Sequence, residues 1–84
     1  MNNSEYKYTY LDLRFHPHMF EAVDFRGENG TLDFFRHVLN EERCAIEDYT
    51  VKDVYKALRR QYEEFVGTWN EKCEYAFNRI VEMR

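Results

Sequence analysis

Three histidines and two cysteines are the side chains of this sequence whose types are best suited to chemistry: His16 and His18 on either side of Pro17, then His37, Cys44 and Cys73. Imidazole and thiolate are the ligands zinc prefers, and a thiol set beside an imidazole and an acid is the pattern of a nucleophilic enzyme. The spacing supports neither chemistry. No pair among the five has the separation of a known zinc site, and a catalytic triad would require three separate segments to converge. Two cysteines without CxxC spacing also fall short of a secreted disulfide framework and read as reduced, partly buried thiols. With no glycine-rich phosphate loop and no acids in recognisable catalytic spacing, the expectation is a non-enzyme that needs no metal or cofactor, its histidines lying at surface turns.

Charged residues offer binding instead. Lys52, Lys56, Arg59 and Arg60 fall on one side of a helical segment at i, i+4, i+7 and i+8, next to Tyr55 and Tyr62. Cations interleaved with rings can grip a phosphate backbone and stack on bases. The competing reading is a solvated face paired internally, Arg59 or Arg60 with Glu63 or Glu64. Of opposite sign, Glu41, Glu42, Glu47 and Asp48 can imitate phosphates, or simply keep a connection soluble. The net charge of −4 argues against a general nucleic-acid binder. Residues 1–48 hold ten acids and five bases, and residues 49–84 six acids and seven bases, so the second half alone is slightly basic.

The elements that must position these groups begin with residues 5–15. Lys7, Thr9, Leu11, Leu13 and Phe15 alternate with Tyr6, Tyr8, Tyr10, Asp12 and Arg14, the two-residue period of a strand. Leu11, Leu13 and Phe15 are expected to face the core, leaving a ladder of three tyrosines on the opposite side as a contact surface. Pro17 ends the strand. Residues 18–26 fit either a short helix, with Pro17 at its first position and Gly27 at its stop, or the second strand of a hairpin. The run Gly27, Glu28, Asn29, Gly30 is a turn. Thr31 is placed to cap a helix over 32–41, whose Leu32, Phe35, Val38 and Leu39 share a face.

Thr50, with Asp53 three residues on, caps the segment that dominates the chain. From there Val51, Tyr55, Leu58, Tyr62, Phe65, Trp69, Cys73, Ala76, Ile80 and Met83 follow at intervals of three or four, the period of one helix face. An uninterrupted helix over 51–83 would be about 50 Å long, whereas a compact domain of this size has a radius of gyration of ~12 Å. The remainder of the chain could hardly cover such a stripe, which points to a second copy or a target protein. Gly67 complicates the pattern: Gly67, Thr68 and Glu71 carry both a helix-stop glycine and a Thr-x-x-Glu start. Yet the stripe keeps its phase through them, and a mid-helix glycine costs only about 1 kcal/mol. The pattern favours one helix, continuous or kinked at Gly67, with a true break as the alternative.

The 84 residues allow one domain. An aromatic share of 18% exceeds what so small a core can bury and suits contact surfaces. The start of the sequence lacks a signal-peptide pattern and no apolar run reaches membrane-spanning length, so a cytoplasmic protein with no membrane partner is expected. Together these features predict a single α+β domain over 1–84: a short N-terminal strand or hairpin, a short helix and a long C-terminal helix. The expected function is non-catalytic protein binding through Tyr6, Tyr8, Tyr10, Tyr55, Tyr62 and Trp69, as a homodimer or on a target. A phage or mobile-element type inhibitor of a host enzyme or defence complex is the concrete form that size and composition bring to mind. The alternative is a small nucleic-acid-binding regulator that uses the basic face of 51–66.

Overall fold

The computed structural model describes residues 11–83, so Tyr6, Tyr8 and Tyr10 lie outside the described residues. Within them the chain is all-helical, without a sheet, which overturns the expected α+β class. Four helices follow one another: α1 (Pro17–Ala22), α2 (Gly30–Glu41), α3 (Val51–Phe65) and α4 (Glu71–Met83), with a single 3-10 turn (Ile46–Asp48) before α3.

The correction at the N-terminal side is instructive because the side-chain pattern itself is right. Leu13 and Phe15 are buried, Leu11 is partly buried, and Asp12 and Arg14 are exposed. A strand, however, is defined by a neighbouring strand, and none exists among the described residues. The Phe15 N–H instead donates to Gln61 Oε1 on α3 at 3.0 Å. Period-two burial therefore marks an extended segment laid on helices, not a sheet.

Of the two readings of residues 18–26, the helix is the one observed, but it stops at Ala22 and not at Gly27. Pro17 occupies its first turn after an extended His16. The turn that follows closes through Gly27 N–H to the Asp24 carbonyl and Gly30 N–H to the Gly27 carbonyl. Gly30 opens α2 one residue before the expected cap, Thr31, and it is glycine for a steric reason. A Cβ there would lie 2.7 Å from the Cα and carbonyl oxygen of Phe25. That close approach brings Phe25 onto Phe34, with ring centroids 4.8 Å apart. Phe34 also meets Phe15 at 5.1 Å and Phe20 at 5.2 Å, so it is fully buried although it lies outside the face read from the sequence. At its other end α2 finishes in a Schellman arrangement, Cys44 N–H to the Leu39 carbonyl and Arg43 N–H to the Asn40 carbonyl, with Arg43 at φ 53° where glycine is usual.

Thr50 caps α3 as expected, its Oγ1 accepting from Asp53 N–H at 3.1 Å. The continuous helix through Gly67 is contradicted: α3 ends at Phe65, where the Val66 and Gly67 N–H groups both turn back to the Tyr62 carbonyl. After residues 66–70, α4 begins with Asn70 Oδ1 accepting from Cys73 N–H at 3.1 Å, so the cap is Asn70 and not Thr68. The break folds the stripe onto itself and onto α2, which packs most closely against α4. Leu58, Tyr62, Trp69, Cys73, Ala76 and Ile80 are all buried. Each large apolar side chain so covered contributes roughly 1.5–3 kcal/mol, well above the ~1 kcal/mol at stake at a glycine. Packing decides the break. Most of the stripe is thus covered from within the chain, while Phe65 and Met83 stay exposed.

Candidate functional site

The aromatic residues expected to meet a partner form an internal joint. Trp69 stacks on Phe35 of α2 at 5.4 Å and 10°, and Tyr55 and Tyr62 meet its ring edge-on at 5.4 and 5.7 Å. Tyr62 and Trp69 are buried, while Tyr55 is partly exposed. Over the open side of the joint lies Glu74, whose carboxylate accepts from both the Tyr55 hydroxyl and Trp69 Nε1–H. Arg59 Nη1 donates to the same Tyr55 oxygen at 3.1 Å. Those two donors, chiefly the Tyr55 hydroxyl, hold the Glu74 carboxyl below its ordinary pKa. The bond to Glu74 correspondingly raises that of Tyr55. Burial, with help from the Cys73 thiol, pushes the Tyr62 hydroxyl up to about 12. The arrangement locks α3 to α4.

The basic face is half engaged. Arg59 pairs with Glu63 at 3.6 Å, as the solvated-face reading expected, and Arg60 reaches Asp12 of the extended segment at 3.9 Å. Lys52 and Lys56 are exposed on the same helix.

The three histidines do come together, although no spacing in the sequence announced it. His16 and His18 stack at 5.7 Å where α1 begins. Their Nε2 atoms face Glu42 Oε1 at 3.3 Å and Glu41 Oε2 at 3.7 Å at the end of α2. His37 meets His18 edge-on at 6.5 Å, and its own Nε2 is buried without a hydrogen bond. Protonated, the two histidines pair with Glu42 and Glu41 across the junction of α1 and α2. Among the described residues, no group of three or more His, Cys, Asp or Glu is arranged to hold a metal ion. Cys73 is in the core. Burial, then the nearby acids Asp48 and Glu42, pushes the Cys44 thiol up to about 11.

Apolar side chains stay open at three places among the described residues: Tyr75 and Met83 on α4, and the pair Phe65 and Val66. Phe65 is 53% exposed and Val66 39% exposed at the α3–α4 corner. Phe65 leans toward the buried ring of Phe15, centroids 6.4 Å apart. Beside it a groove of about 350 Å³ is lined by Arg14, Phe15, His16, Gln61, Glu64 and Phe65. The sequence placed Phe65 inside the stripe. Its position two residues before Gly67 is the signal in the sequence for its ending the buried face.

Among the described residues no helix is long and apolar enough to cross a membrane. Compared with protein-family models, with curated proteins and with solved structures, the chain matches none.

Proposed function

We propose that this chain is a non-catalytic protein-binding module whose contact point is the Phe65–Val66 corner, not the aromatic stripe. The observation that carries the reading is a half-exposed phenylalanine ring beside a groove lined by Phe15 and Phe65 with Arg14, His16 and Glu64 around them. Aromatic anchors surrounded by polar rims are where binding energy concentrates at interfaces. Against thiol catalysis stands the raised Cys44 thiol. The nucleic-acid alternative is the weaker one, because Arg59 and Arg60 are already paired and leave Lys52 and Lys56 to carry it.

The test compares proteins captured by immobilised wild-type chain, by Phe65→Ser and by Tyr75→Ser, the last removing an equally exposed ring on α4. A partner retained by wild type and by Tyr75→Ser but lost with Phe65→Ser supports the reading. Identical capture by all three overturns it. Capture of nucleic acid that fades steeply with salt would favour the basic face instead.

A further inference from the structure

The extended segment 11–15 has strand character without a strand beside it. Its burial alternates with a period of two, and the following residue, His16, has φ −114° and ψ 149°. In such a chain the backbone N–H and C=O groups of odd residues point to one edge and those of even residues to the other. The Phe15 N–H faces Gln61 on α3, so the odd edge is turned toward the helices. The even edge carries the backbone groups of Asp12 and Arg14, for which no partner exists among the described residues, and it closes at His16, whose N–H and C=O are both engaged by Met19. An unpaired edge of this kind is a template for another strand.

We infer that the even edge pairs with the same segment of a second copy of this chain, antiparallel, with the two-fold axis at Leu13. Charge selects both partner and register. An axis at residue 12 would set Asp12 against Asp12, and one at residue 14 would set Arg14 against Arg14, each a like-charge pair. The axis at Leu13 places Asp12 opposite Arg14 twice, and these even residues are the ones whose backbone groups reach the shared edge. It also sets the partly buried Leu11 of each copy opposite Phe15 of the other. Arg14 lies 2.9 Å from Asp12 within the chain and is 71% exposed, free to turn to the facing strand; Asp12, 39% exposed, keeps Arg60 of α3 at 3.9 Å through one oxygen and offers the other, now on Arg14, to the partner. The pairing leaves the Phe65–Val66 corner out of account and stands or falls independently of it.

The experiment is solution mass by light scattering across a dilution series for wild type, Arg14→Asp, Asp12→Arg and an equimolar mixture of the two variants. Both changes are on exposed side chains, and circular dichroism checks that the helices persist. The wild type is expected at twice 10.4 kDa, dissociating on dilution because so short a junction is small for an interface. Either variant turns both cross-strand pairs repulsive and weakens association on the order of tenfold to a hundredfold. The mixture restores it, since an acidic edge then meets a basic one. A mass of one chain at every wild-type concentration overturns the proposal. So does a dimer indifferent to either variant, or a mixture no better associated than its components.

Discussion

Replacing Gly67 by alanine separates two explanations for the break between α3 and α4. If glycine causes the break, alanine should let the helix run through. If packing causes it, alanine should leave the hairpin intact and stabilise it. The geometry favours the second outcome: no glycine has a positive φ, and a Cβ at position 67 would meet nothing within 4 Å. Restricting the unfolded chain at such a site stabilises by about 0.4–1 kcal/mol. Fusing the helices would instead strip Trp69, Phe77 and Ile80 from their contacts, a loss of about 5–9 kcal/mol at 1.5–3 kcal/mol each, against a helix-propensity gain of ~1 kcal/mol. Thermal denaturation followed by circular dichroism should show a rise in Tm of about 2–6 °C, with unchanged solution mass. A fall in Tm of several degrees, or a new exchanged dimer with a longer helix, would refute the reasoning. Gly30→Ala is the internal control of opposite sign. Its Cβ would strike the Phe25 backbone at 2.7 Å, and overpacking of this kind costs about 1–3 kcal/mol.

Gln61 is the buried polar residue that holds the extended segment, so Gln61→Ala should strand the Phe15 N–H and cost about 1–3 kcal/mol. Hydrogen exchange at Phe15 should accelerate in that variant, and an unchanged rate would show that the bond is dispensable. The Glu74 bonds make the α3–α4 joint pH-dependent with a definite sign. A carboxyl held below its unfolded pKa stabilises the fold above that value, ~4.3, and loses the contribution as pH falls through the depressed one. Tyr55, raised by the same contact, loses its share as pH climbs through its elevated value. Glu74→Gln should therefore flatten the acid side of a plot of Tm against pH. An unaltered acid limb would mean that the contact does not persist in solution.

What was legible in the sequence was local. Thr50 and Asp53 mark the start of α3 because a cap needs only neighbours three residues apart. Leu13 and Phe15 declare their inward faces because alternation is a property of the segment alone. Whether that segment becomes a strand depends on another element, and the helices supplied Gln61 where a sheet would have supplied a backbone. Gly67 illustrates the same limit. A stripe in phase on both sides of a break is what a continuous helix shows, and only the cover that α2 offers to both halves decides between them. Phe34 was invisible as core because the rings that enclose it arrive from Phe15, Phe20 and Phe25. The meeting of His16 and His18 with Glu41 and Glu42 was equally out of reach, since it is made by the turn before α2.

The joint around Trp69 has a practical consequence. The chain contains one tryptophan, and it sits where α2, α3 and α4 meet, stacked on Phe35 and tied to Glu74. Its intrinsic fluorescence is thus a label already installed at the point where α4 docks. Emission colour and quenching can follow that docking in unmodified protein, and excitation at the red edge of the absorption band isolates it from the tyrosines.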